Sequence, residues 1–182
     1  MTLTSSSQLL RLSSANQAAR VCVTCLLLAF GTAGAAWAQL ASDAPDWKES
    51  EVPSPPVFDM GQLVTFDGEV NSSLVYGVDP ASIRISGQDG VVRYVIVAAS
   101  ASGAKNVMYE AIRCSTGEFK TYARYSSDGR WSPVSDANWR PMLGGSPSKH
   151  ALYFARAGGC DYAAPPSSVS ALVFRLKNPN LN

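Results

Sequence analysis

Between residues 61 and 127, short apolar runs alternate with turn residues, the pattern of β-strands joined by tight connections. Residues 63–66 and 74–78 flank the polar stretch D-G-E-V-N-S-S. Asp79-Pro80 starts a turn, and residues 83–86 form a short strand. Gln88-Asp89-Gly90 turns tightly into V-V-R-Y-V-I-V-A, which is apolar on both faces apart from Arg93 and reads as a central strand. A loop over 100–105 leads to V-M-Y-E-A-I-R-C, and Ser115-Thr116-Gly117 turns the chain into E-F-K-T-Y-A-R-Y. Connections this short force antiparallel neighbours, so the pattern predicts a meander of about five or six strands.

The pattern then loosens. Residues 136–139 are expected to form one helical turn, 143–149 a Gly/Ser/Pro loop, and 151–155 a strand or a helix. The end is more regular. Val169, Leu172, Val173 and Leu176 follow the i, i+3, i+4, i+7 spacing of one helical face, Ser167 or Ser168 can cap the start, and Asn178-Pro179 stops the helix. The expected fold is α+β and mainly β: an antiparallel meander with a C-terminal amphipathic helix packed on it.

The ends divide the chain further. Residues 1–38 hold Arg11 and Arg20 and no acidic residue, then an apolar run of about ten (21–30), then small residues ending in A-W-A at Ala38. These are the three parts of a secretory signal, and the apolar run is short against the roughly 20 residues a bilayer span needs. The expected division is a signal over 1–38, an extended Pro-rich lead over 39–62, and one domain over 63–182. Pro45, Pro53, Pro55 and Pro56 bias the lead towards polyproline or coil, tied down by Trp47 and Phe58.

Cleavage changes the charge. The whole chain has 15 basic and 14 acidic residues, and loss of Arg11 and Arg20 leaves 13 against 14. A near-neutral domain has no electrostatic reason to hold nucleic acid or an anionic bilayer. Cleavage also decides the cysteines. The C-x-x-C of Cys22 and Cys25 leaves with the signal, whereas Cys114 and Cys160 remain. An even pair in an oxidising compartment is expected to join, closing a loop worth about 4 kcal/mol in the chain-entropy model.

The blocks V-D-P-A-S-I (78–83), D-G-V-V-R-Y-V-I-V-A (89–98), S-G-A-K-N-V-M-Y-E-A-I-R-C-S-T-G-E-F-K-T-Y-A (102–123) and D-G-R-W (128–131) resemble the core of the CNP-like (cryptic neisserial protein-like) family. W-K-E-S-E (47–51) resembles the opening of its domain. The resemblance implies a small exported protein of a Gram-negative envelope and brings no activity, cofactor or catalytic residue with it. Family members usually carry an Asp-Tyr pair shortly before the second cysteine. Here Gly158-Gly159-Cys160 precedes Asp161-Tyr162, so the resemblance places Cys114 better than Cys160.

Candidate chemistry is sparse. A nucleophilic Cys114 needs an activating base, and the one histidine, His150, follows no motif that pairs it with Cys114. One histidine and an oxidised cysteine pair cannot build an ordinary zinc site, and no acidic loop of the calcium type is present. Neither a metal nor a cofactor is expected. Glu110 and Glu118 flank the Cys114 turn and, if they converged in a cleft, would divide acid and base roles. The plainer expectation sets Glu110 opposite Arg93 as a cross-strand charge pair. On 118–125 strict alternation sends Phe119, Thr121, Ala123 and Tyr125 one way and Lys120, Tyr122 and Arg124 the other. A binding surface is therefore expected among Arg93, Glu110, Arg113, Lys120, Tyr122, Arg124 and Trp131, unless the lead covers that face. The functional expectation is a non-catalytic periplasmic or cell-envelope protein, a module that binds an envelope protein, glycan or lipid component or serves as a structural subunit of an envelope complex. The alternative is a carboxylate-dependent hydrolase, and no membrane span is expected after cleavage.

Overall fold

The computed structural model describes residues 46–68, 72–144 and 148–181. The expected signal and Cys22 and Cys25 lie outside the described residues. Residues from Trp47 onward form one compact unit.

Among the described residues, eight strands make one antiparallel sheet: β1 (Val64–Phe66), β2 (Leu74–Val78), β3 (Arg84–Ile85), β4 (Val91–Ser100), β5 (Lys105–Arg113), β6 (Glu118–Tyr125), β7 (Trp131–Pro133) and β8 (Arg140–Pro141). The order is β1-β2-β4-β5-β6-β7. Beyond β2, β3 also pairs with β4, and β8 joins β7 along β6, so two of the rows are interrupted strands. The first interruption is a 3₁₀ turn at Pro80–Ser82, where the Asp79 carboxylate caps Ala81 N–H at 2.9 Å. The second, between β7 and β8, is a turn at Asp136 and not the helical turn expected there. Pro133, Asn138 and Pro141 break up that row, and proline is tolerated because the strand lies at the sheet edge.

Two layers cover the sheet. On one face lie the short helix α1 (His150–Phe154), a wide helical turn at Ala155–Gly159, and α2 (Val169–Lys177). Leu172 and Leu176 are buried against Tyr94, Ile96, Ile112 and Phe119, with Val169 and Val173 packed at the margin. Ser168 caps α2 by accepting a hydrogen bond from Ala171 N–H at 3.1 Å. On the other face the irregular stretch from Trp47 to Leu63 lies across the strands. Its Val52, Phe58 and Leu63 pack on Val95, Val97, Tyr109 and Tyr125. Coverage on both sides is why Val91–Ala98 of β4 is buried throughout.

A disulfide joins Cys114, just past β5, to Cys160, just past the helical turn (Cα–Cα 5.7 Å, separation 46). It fastens the helical layer to the end of a central strand. Gly158 and Gly159 permit the approach. Gly158 has φ +126°, and a Cβ on Gly159 would lie 2.8 Å from the Phe154 ring.

Candidate functional site

The polar residues expected to share one surface fall into two groups on opposite faces of the sheet. Arg93, Arg113, Lys120, Tyr122 and Trp131 lie beneath the Trp47–Leu63 stretch, which holds the first four through W-K-E-S-E and Trp131 through Phe58. Glu49 is the hub. Its carboxylate accepts from Lys120 Nζ (2.9 Å), Trp139 Nε1 (3.2 Å) and the Tyr122 hydroxyl, and Arg93 Nη2 stands at 3.6 Å. Asp89 is the second anchor. It accepts from Arg93 Nη2 (2.8 Å) and from both Ser50 N–H (2.9 Å) and Ser50 Oγ (2.6 Å), while Trp47 Nε1 donates to its carbonyl (2.9 Å). Trp47 also meets Trp139 edge-on and lies under the Arg113 guanidinium, 3.8 Å from the ring centroid. Trp131 packs against Phe58 and Tyr125.

The electrostatics fit a closed cluster. Burial works to raise the Asp89 carboxyl, but hydrogen bonds from Arg93 and Ser50 outweigh it and hold the group well below the carboxylate range. Glu49 is likewise lowered: burial opposes, and Tyr122, Lys120 and Trp139 prevail. Burial and the bond to Glu49 push the Tyr122 hydroxyl far up, so it remains a proton donor. These side chains are committed to one another.

Glu110 is elsewhere. It pairs across β4 with Tyr94, and Arg93 pairs with Ala111, so the expected Glu110–Arg93 pair is off by one residue and the two point to opposite faces. Glu110 is 0% exposed. Its carboxylate accepts from Thr121 Oγ1 (2.7 Å) and bonds to His150 Nε2 (2.7 Å), whose Nδ1 meets Ser148 Oγ at 2.8 Å. Next to this chain Tyr94 is fully buried, and its hydroxyl has no partner among the described residues. Burial, then the Glu110 charge, drives that hydroxyl's pKa well up. Glu118 instead pairs with Arg113 (3.7 Å) and Thr116 (2.6 Å) at the hairpin turn. The two glutamates therefore do not converge in a cleft.

Arg124 is displaced by a bulge. Tyr109 pairs with Ala123 and Glu110 with Thr121, which leaves Tyr122 as the extra residue. Beyond it alternation inverts: Ala123 joins Tyr122 on the Trp47 side, and Arg124 lies opposite Met108 on the helical side, exposed and 3.4 Å from Asn106 Oδ1.

The described residues leave open concavities beside the helical layer. A cleft of about 510 Å³ is walled by the disulfide, Met142, Leu152, Ala155 and Gly158, with Arg156, Arg175, Asp161 and Tyr162 around it. Arg175 Nη2 bonds to Asp161 at 3.0 Å. Arg156 is exposed and makes no hydrogen bond or ion pair among the described residues. Tyr162 is 98% exposed at φ +53°. A wider groove of about 1030 Å³ runs between β1 and α2, with Phe66, Val75, Tyr153 and Lys177 on its walls and Arg156 between the two openings.

A model of the CNP1-like family matches residues 42–177. The chain belongs to that family. No curated protein and no solved structure matches it. Within the CNP1-like match, W-K-E-S-E is the clamp on Asp89, Lys120 and Tyr122. V-D-P-A-S supplies Asp79, which also accepts from Asp59 N–H at 3.0 Å, and Ser82, whose hydroxyl accepts from Val95 N–H at 2.9 Å. Within the matched span, W-K-E-S-E and Asp79 thus fasten the covering stretch to the sheet. Most cleft residues come from the chain's less regular C-terminal part, joined by Cys114 and Gly117 of the β5–β6 turn. No described helix of the CNP1-like domain is long and apolar enough to cross a membrane. Among the described residues, no group of three His, Cys, Asp or Glu side chains could hold a metal ion.

Sequence reasoning missed the Glu110–His150 bond and the cleft. The first spans 40 residues and has no local signature. The second had one readable signal, the Gly158-Gly159 pair beside a cysteine.

Proposed function

We propose that this protein is a non-catalytic binding module of the bacterial cell envelope, and that its ligand sits in the cleft beside the disulfide. One contrast carries the reading. Glu49, Asp89 and Glu110 are tied up in contacts within the fold, whereas the open cleft joins apolar walls to Arg156, which has no polar partner among the described residues. The basic, apolar and A-x-A parts of residues 1–38 support export, as does the joining of Cys114 to Cys160. The separation of Glu110 from Glu118 weighs against a carboxylate-dependent hydrolase.

The test is a photo-reactive side chain at position 162, introduced in cells. An envelope adduct is expected, and it should disappear when Ala155→Trp fills the cleft in a protein that still melts cooperatively. Absence of any cleft-dependent adduct would sink the binding reading. So would turnover of an envelope substrate that Glu110→Gln abolishes in a folded protein.

A further inference from the structure

We propose that the disulfide-walled cleft takes an amphiphile with an apolar chain and a single anionic head, the head seated on Arg156. This rests on the cleft being the binding site and adds the chemistry of its ligand. Two arginines, Arg156 and Arg175, and one carboxylate, Asp161, line the cleft. Asp161 is committed to Arg175 through a single bond, which leaves the other Arg175 N–H donors and the whole Arg156 fork for a ligand. The local charge is therefore positive, and a planar fork suits a carboxylate or phosphate head.

The walls fix the rest of the ligand. Met142, Leu152, Ala155 and the sulfurs offer apolar contact. The nearby main-chain N–H groups are already used: Cys160 bonds to Ala155, Asp161 to Ala164, Gly117 to Arg113 and Met142 to Gly117. An extended peptide would find few backbone partners there, whereas an alkyl chain needs none. A volume of about 510 Å³ lies within the usual range for small-molecule sites. Tyr162 supports the same assignment. It is the one non-glycine residue with positive φ among the described residues, and its ring is held out beside the opening. Residues held in such sparsely populated backbone conformations cluster at ligand clamps and active sites.

The experiment is calorimetric titration of the oxidised protein with decanoate, decyl phosphate, decanol and decyltrimethylammonium, each below its critical micelle concentration. Both anions are expected to bind, with the other two at least tenfold weaker. Arg156→Gln should weaken the anions at least tenfold and Tyr162→Ala several-fold. Lys177→Gln, on the β1–α2 groove alone, should leave them unchanged. Both arginine and tyrosine side chains are exposed, so neither change threatens folding. Equal binding of the neutral or cationic probe, or indifference to Arg156→Gln, overturns the anion assignment. Loss through Lys177→Gln moves the ligand to the other groove and also overturns it. If no probe binds while position 162 still yields a cleft-dependent adduct, the ligand class fails and the binding module stands. If neither occurs, both fail.

Discussion

Glu110 and His150 are joined at 2.7 Å inside the core, tying the middle of β5 to the first residue of α1. The pair is sealed on the helical face, with Tyr76 stacked on the imidazole and Phe119 meeting it edge-on. His150→Ala should be more damaging than its volume suggests. It leaves a fully buried carboxylate with Thr121 as its remaining partner, and breaking a buried pair typically costs about 3–5 kcal/mol. Adding Glu110→Gln should recover part of that loss, because the orphan is then neutral. Denaturant unfolding of the two single variants and the double variant measures the coupling. Additive losses would mean that the bond contributes nothing.

The covering stretch predicts a pH dependence. The carboxyls of Glu49 and Asp89 are held below their ordinary values of 4.5 and 3.8 by donors present in the folded state alone. A group depressed on folding binds its proton more weakly there than in the unfolded chain. Its stabilisation is complete above the ordinary value and drains away as pH falls through that range and below it. The urea midpoint should therefore drop as pH is lowered from about 5 towards 3. Glu49→Gln and Asp89→Asn together should flatten the profile while lowering stability at neutral pH. A wild-type midpoint constant over that range would remove these two residues as fastenings.

How far this arrangement is legible in the chain depends on the distance over which each constraint acts. The meander and α2 follow from local periodicity, because alternation at 2 and spacing at 3.6 are written within single elements. Faces are less secure. Strict alternation fails at Tyr122, where one extra residue inverts everything after it, and a slip of one position separates Glu110 from Arg93. Both errors concern pairing between strands, which no single strand specifies. The cleft lies further still from local reading, since it is made by the return of the helical layer to the end of β5.

That return depends on the Cys114–Cys160 bond. Replacing both cysteines by serine should cost about 2–4 kcal/mol and steepen the denaturant dependence, because the unfolded chain gains freedom and exposed surface. The loss should appear equally in wild-type protein treated with reductant, while the reductant leaves the double-serine variant unaffected. Equal stability of oxidised and reduced wild type would mean that the two cysteines do not form the bond in solution.

Gly158 should be less replaceable than Gly117, although both have positive φ. Gly117, at +66° in the β5–β6 turn, has nothing within 4 Å of where a Cβ would stand. Alanine there meets only the left-handed backbone penalty of about 1 kcal/mol. Gly158, at +126°, would put a Cβ 2.6 Å from Arg175 Cβ and 3.4 Å from the Leu172 carbonyl oxygen. The collision is with the root of a side chain on α2, which cannot swing aside without moving the helix. Gly158→Ala should therefore cost about 3 kcal/mol or more, through strain and lost packing of Leu172. It should also reduce decanoate affinity, because α2 carries Arg175 to the cleft. Thermal unfolding of the two variants side by side checks the order, and equal losses would show that α2 is not held in register by this contact.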